Sequence, residues 1–122
     1  MTFGDQAVRL SENVALSMNQ APAANPSKLL LSDNTPRIID RIERDYAPDL
    51  MLFDTPPLLA TDDTLALLKV VDCALIIAAA EMTTTDQLDI TEKEAAEHTN
   101  VMGVVLNKCL YTEKEYGYEY KY

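Results

Sequence analysis

The sequence has few of the residues that several classes of binding site and targeting signal require. Lysine and arginine number 10 against 20 acidic residues, and a formal net charge of -10 argues against a surface for nucleic acid or anionic lipid, since both need clustered cations. Two cysteines, Cys73 and Cys109, are too few and too far apart to predict a disulfide framework or a zinc site. The start MTFGDQ does not resemble a signal peptide, and the longest apolar run, residues 73–80, is too short to cross a bilayer. These absences favour a cytoplasmic protein with a protein partner.

Apolar runs of strand length alternate with helical patterns along the chain. At 122 residues and 48% hydrophobic composition, the chain can bury one modest core. The predicted strands are residues 13–18, 49–53, 73–78 with Cys73 in the core, and 101–106. The predicted helices are residues 35–46, with Thr35 as the cap and Pro36 at the first position, 61–70 and 84–99. Strands buried on both faces and separated by helices predict the α/β class, as a partial, doubly wound parallel sheet of about four strands with flanking helices.

An acidic residue follows the second apolar run, in the segment LMLFDTPP. Asp54 ends this run, and Pro56 and Pro57 follow it, remove two backbone donors and stiffen the turn. A carboxylate at the tip of a buried strand costs solvation free energy unless it is compensated, and a hydrated magnesium ion beside a nucleotide is a common solution. The alternative is an aspartate that caps the following turn through backbone hydrogen bonds. The residues alone leave both interpretations open.

Five of the six tyrosines lie in the last twelve residues, at Tyr111, Tyr116, Tyr118, Tyr120 and Tyr122. Chain ends are accessible to modifying enzymes, so this cluster is a candidate phosphorylation site. The period-two spacing of the last four would also place four rings on one face of a strand. The expected division is one folded domain over residues 1–110 and a flexible, tyrosine-rich tail over residues 111–122.

LMLFDTPP resembles the Walker B strand of P-loop ATPases of the MinD and ParA type, and within them that of the bacterial tyrosine autokinases of capsule and exopolysaccharide synthesis. Further similar segments follow in the same order: NPSKLL at 25–30, TDD at 61–63, VDCALIIAAAEMTT at 71–84, GVVLNK at 103–108 and the closing YGYEYKY. The resemblance spans residues 14–122. It implies a fold of the P-loop NTPase type, of which this chain would be the C-terminal part.

The resemblance also implies roles for the residues that match. Asp54 would be the Walker B aspartate that holds Mg²⁺, usually through water. Asn107 would contact the adenine ring of ATP, since an amide offers a donor and an acceptor, or it would only close the strand as a turn residue. Asp62 and Asp63 would sit in a switch loop that senses the γ-phosphate or, as the favoured alternative, would cap a helix. The tail tyrosines would be the phosphorylated residues.

The P-loop of this family has no match in these 122 residues. The sequence has three glycines, and none of its lysines follows a glycine, so GxxxxGK[ST] cannot be placed anywhere. Phosphoryl transfer in the family needs the backbone amides and the lysine of that loop to offset the charge of the nucleotide phosphates. The chain alone is therefore expected to bind ATP and Mg²⁺ weakly or not at all, and to be inactive as a kinase.

Three interpretations of function follow. The favoured one is the C-terminal part of an exopolysaccharide or capsule tyrosine autokinase, with a tail phosphorylated in trans. The alternatives are a non-catalytic module that docks on a membrane-bound polysaccharide co-polymerase or an intact kinase, and a remnant of a MinD/ParA-like positioning ATPase. The expected partners are that co-polymerase as kinase activator, the missing P-loop half or intact kinase subunits, and copies of this chain, without nucleic acid. The expected location is the cytoplasm, at the inner face of the plasma membrane through a partner.

Overall fold

The computed structural model describes residues 3–19, 21 and 23–110. The elements are α1 Phe3–Gln6, β1 Ala7–Ser11, β2 Val14–Ser17, α2 Pro26–Leu30, α3 Asn34–Tyr46, α4 Asp62–Leu68, β3 Cys73–Ala79, α5 Thr85–Ala96 and β4 Asn100–Asn107. The predicted tail and its five tyrosines lie outside the described residues. The domain division at residue 110 therefore stays a prediction.

β3 and β4 form a parallel pair, as the sequence predicts. Cys73 lies opposite Asn100 and Ala79 lies opposite Asn107, with one irregularity after Ala74. α5 connects the two strands and packs against both, which is the crossover that parallel pairing requires. The carboxyl ends of β3 and β4 therefore meet at one sheet edge, where the amide of Ala80 donates to the carbonyl of Asn107 at 2.8 Å. The α/β fold class is confirmed.

The hydrophobic core of the described residues is small and comes from α4, β3 and α5. Its buried apolar side chains are Ala66, Leu67, Leu68, Ala78 and Ala95. α5 begins where its local sequence predicts, because Thr84 and Gln87 form a capping box in which each side chain accepts a hydrogen bond from the backbone amide of the other residue. This crossover helix is therefore specified largely by its own residues.

Two of the four predicted strands differ from the expectation. Residues 13–18 were predicted to join the parallel sheet, but β2 pairs antiparallel with β1 in a separate hairpin. Two residues separate Ser11 from Val14, and a connection that short permits only antiparallel pairing. Residues 49–53 form no strand, and Leu50 and Leu52 are 73% and 83% exposed. A strand needs a neighbour to complete its ladder of hydrogen bonds, and no described segment pairs with this one.

The start of α3 also differs from the prediction, whereas its end at Tyr46 is confirmed. The N-cap is Asp33, so Thr35 lies inside the helix and Pro36 is at the third helical position. The Thr35 hydroxyl donates to the carbonyl of Leu29 at 2.9 Å. This hydroxyl satisfies the preceding helix, α2, instead of capping α3.

One face of the parallel pair is largely bare. Leu75 and Ile77 are 52% and 57% exposed, whereas Ala78, on the other face, is buried. Val105 lies opposite Ile77 and is also exposed. The prediction of strands buried on both faces is wrong here, because the described helices cover one face only. For the same reason Cys73, predicted in the core, is an exposed thiol.

We expect this bare face to make the chain self-associate, because a contiguous apolar surface beside an unpaired strand edge favours contact between copies. Ile77→Lys should weaken the dimer by roughly tenfold or more, since it removes one large apolar side chain per copy from the interface. Ile38→Lys in α3 is the matched control, because Ile38 is exposed by the same 57% and the charge change is identical. Sedimentation velocity over a wide concentration range measures both variants. A native chain that stays monomeric throughout would contradict the prediction.

Candidate functional site

Asp54 lies within an irregular segment, residues 47–61, of which we call residues 54–61 the acid loop. Asp54 is exposed, and within the described residues its carboxylate has no hydrogen bond or ion pair. The amide of Ala60 donates to the carbonyl of Pro57 at 3.0 Å, which closes a turn at the end of the loop. The Thr64 hydroxyl in α4 donates to the carbonyl of Pro56 at 2.8 Å. The acid loop is therefore attached to α4 two residues after Asp54.

The first turn of α4 carries Asp62 and Asp63, where the helix dipole favours acids. The favoured assignment of these residues as caps is wrong, because the N-cap position is occupied by Thr61. Asp63 instead accepts a hydrogen bond from the hydroxyl of Ser27, which joins α4 to α2. Asp63 is thereby engaged inside the fold, in a half-buried position.

Asn107 lies at the carboxyl end of β4, beside the end of β3. Its side chain is exposed, and its Oδ1 accepts a hydrogen bond from the amide of Lys108 at 2.8 Å. Lys108 has a φ of 59°, a left-handed conformation that such a local side-chain hydrogen bond helps to hold. The side-chain amide of Asn107 can offer a ligand its NH₂ donors and the second lone pair of Oδ1.

A magnesium site of protein ligands alone is not formed by the described residues. They contain no group of three or more metal-ligating side chains. A single accessible carboxylate suits a cation that keeps several waters and takes its other ligands from phosphates, which is how magnesium is usually bound beside nucleotides. Asp54 therefore fits the predicted role as one contact to hydrated Mg²⁺. Asp54 and Asn107 lie on separate segments and share no hydrogen bond.

Sequence reasoning missed two hydroxyl residues near the acid loop: Thr64, which donates to the carbonyl of Pro56, and Ser27, which donates to Asp63 in α4. Ser27 lies within NPSKLL, a segment that carries part of the family resemblance but for whose single residues the sequence predicts no role. Thr64 directly follows TDD and is only 6% exposed. A hydroxyl within the otherwise apolar run TLALL was the available signal, because buried polar groups need a partner.

The chain is similar to proteins named as tyrosine kinases. No protein-family profile matches the sequence. Tyrosine-protein kinase EpsB of Ralstonia nicotianae is 36% identical over 100 residues, which are 80% of this chain and 13% of that protein. Tyrosine-protein kinase AmsA of Erwinia amylovora is 30% identical over 105 residues, which are 84% of this chain and 14% of that protein. The chain thus spans a small fraction of the length of these relatives.

A solved structure shares the fold. The kinase domain of VpsO superposes with a TM-score of 0.78 at 23% identity, over 89% of this chain and 54% of that chain. At this identity the likeness shows the fold alone.

Among the described helices, none combines the length and the apolar character that a membrane span requires.

Proposed function

We propose that this chain, which is homologous to a segment of the bacterial tyrosine-protein kinases, supplies about half of a tyrosine autokinase domain of exopolysaccharide or capsule synthesis. The observation that carries the proposal is its coverage of 54% of a kinase-domain chain at a TM-score of 0.78. The P-loop, which these 122 residues lack, would come from further polypeptide. The two relatives with kinase names favour this function over a positioning ATPase.

In the completed domain, Asp54 and Asn107 would contact different parts of Mg²⁺-ATP. Mg²⁺ would neutralise charge on the phosphates during transfer. The exposed carboxylate of Asp54 would hold a water of that ion, on a loop that two prolines stiffen. The Nδ2 of Asn107 would donate to a ring nitrogen of adenine, while its Oδ1 accepts from the amide of Lys108. The chain would then orient both ends of the nucleotide.

The tail tyrosines would be the phosphate acceptors, phosphorylated in trans by a neighbouring kinase. Each phosphate adds roughly two negative charges. The chain already has a net charge of -10, so phosphorylation would increase repulsion between adjacent acidic subunits. Phosphorylation would thereby regulate assembly.

The partners would be the polypeptide with the P-loop and a membrane-bound polysaccharide co-polymerase that activates the kinase. The protein would work in the cytoplasm, held at the inner face of the plasma membrane through that co-polymerase. The second candidate function is a non-catalytic module that docks on the co-polymerase or on an intact kinase. The exposed Leu75 and Ile77 favour it, because they offer an apolar surface for a protein partner.

Tail phosphorylation is the direct test of the proposed function. The chain is incubated with ATP and an intact relative such as AmsA, and tryptic peptides are analysed by mass spectrometry. We expect phosphate on one or more of the five tail tyrosines, with none on a variant that has all five replaced by phenylalanine. Absence of phosphate from all five sites would contradict the autokinase proposal. If the chain is recovered with the kinase but is not phosphorylated, the docking module is the better interpretation.

A further inference from the structure

Two side-chain hydrogen bonds meet at the first turn of α4. The Ser27 hydroxyl in α2 donates to Oδ1 of Asp63, and the adjacent Thr64 donates to the carbonyl of Pro56 in the acid loop. The first joins residues 36 positions apart and the second joins residues eight positions apart. Together they connect α2, α4 and the residues that follow Asp54.

We infer that Ser27, Asp63 and Thr64 are positioning residues that hold the backbone that carries Asp54, an inference that rests on the proposed role of Asp54 in nucleotide binding. The acid loop has no helix or strand of its own. Pro56 and Pro57 have no N–H, so neither residue can donate a backbone hydrogen bond that would hold the loop. The carbonyl of Pro56 accepts the side-chain hydrogen bond that links the middle of the loop to α4.

The burial of Thr64 and Asp63 strengthens the hydrogen bonds that connect α2, α4 and the acid loop. Thr64 is only 6% exposed, and a buried hydroxyl strongly prefers a state in which it has a partner. Asp63 is half-buried and accepts through a carboxylate oxygen, which gives a stronger hydrogen bond than a neutral acceptor does. The hydrogen bond from Ser27 therefore constrains the first turn of α4 relative to α2. Thr64, in that same turn, constrains the acid loop relative to α4.

Hydrogen exchange at the Ala60 amide reports whether the acid loop is held, because this amide donates to the carbonyl of Pro57 within the loop. In the full chain, Thr64→Val should raise the exchange rate of the Ala60 amide about fivefold relative to the amides of β3 and β4. A roughly fivefold rise in the population of the open loop corresponds to the loss of one hydrogen bond of average net strength. Thr64→Ser, which keeps the hydroxyl, should restore the native rate.

Thr99→Val is the matched control. Thr99 also donates from a part-buried hydroxyl to a distant carbonyl, that of Val71 at 3.0 Å, but away from the acid loop. It should leave the relative rate of Ala60 unchanged. Because Thr64 is buried and its variant could lose the fold, Ser27→Ala is measured as well. Ser27→Ala should raise the Ala60 rate in the same direction, and the double variant should not exceed Thr64→Val alone.

A second measurement uses Mn²⁺ in place of Mg²⁺ and follows paramagnetic broadening of the Asp54 and Thr55 amides by NMR. If the native chain binds Mn²⁺ there, Thr64→Val should weaken binding about fivefold, as one lost hydrogen bond predicts, whereas Thr99→Val should not. Equal responses of Ala60 to Thr64→Val and Thr99→Val would overturn the inference, since both hydroxyls would then be general stabilisers. If Ala60 responds selectively but the native chain shows no broadening, the positioning role is supported, and the absence of broadening agrees with the weak Mg²⁺ binding expected of a chain without the P-loop.

Discussion

Asp54→Asn should lower phosphate transfer about a hundredfold to a thousandfold in a chimaera in which this chain replaces the segment of EpsB that it matches. A loss of this size in the rate of phosphate transfer is expected when one electrostatic contact to the transition state is removed from a preorganised site. The amide keeps the shape of the carboxylate but loses the charge that attracts the water shell of Mg²⁺. The apparent affinity for Mg²⁺ should therefore fall together with kcat. Transfer of labelled phosphate from ATP to the tail measures both.

Asp49→Asn is the control for the loss of one negative charge nearby. Asp49 is exposed and lies before the apolar segment, so the same change in charge should leave transfer within twofold of the native chimaera, as expected for a surface substitution away from the site. Full activity of Asp54→Asn would exclude the Walker B role that the resemblance implies. An inactive native chimaera would instead show that the chain cannot replace the matching segment of a kinase.

The parts of the fold that the sequence predicts are those specified by nearby residues. β3 and β4 have strong apolar runs, and the capping box of Thr84 and Gln87 fixes the start of the helix between them. Parallel pairing follows, because a strand, a helix and a strand in succession return to the same sheet. The carboxyl ends of both strands, and with them Asn107, could therefore be placed from the sequence.

The parts that were missed depend on distant residues. The run around Leu52 is apolar enough for a strand, but a strand also needs a neighbour, and composition does not reveal whether one is present. β1 was not predicted, because Arg9 and Ser11 weaken its apolar pattern and its stability comes from pairing with β2. The hydrogen bond from Ser27 to Asp63 spans 36 positions, so no local spacing indicates it.

The core between α5 and the sheet permits the largest predicted effect on stability. Ala95 is 2% exposed, and Ala96 beside it is exposed on the same helix. Ala95→Glu should reduce the free energy of unfolding by about 3 kcal/mol or more, because an unpaired carboxylate would be buried. Ala96→Glu adds the same charge to the same turn and should stay within about 0.5 kcal/mol of the native chain. Urea unfolding followed by circular dichroism measures the difference.

The difference between these two variants should also depend on pH. Burial raises the pKa of a carboxyl group, so the carboxyl introduced at position 95 should bind a proton in the folded state at a higher pH than it does in the unfolded state. The loss in free energy of unfolding caused by Ala95→Glu is therefore largest at neutral pH, where the buried carboxyl is ionised. It decreases as the pH falls through the raised pKa, because the neutral carboxylic acid costs less free energy to bury. A typical domain has a total stability of about 5–15 kcal/mol, so Ala95→Glu should remove a large share of that stability at neutral pH. Equal effects of the two variants at every pH would mean that α5 does not pack on the sheet, and the shared edge that carries Asn107 would lose its structural basis.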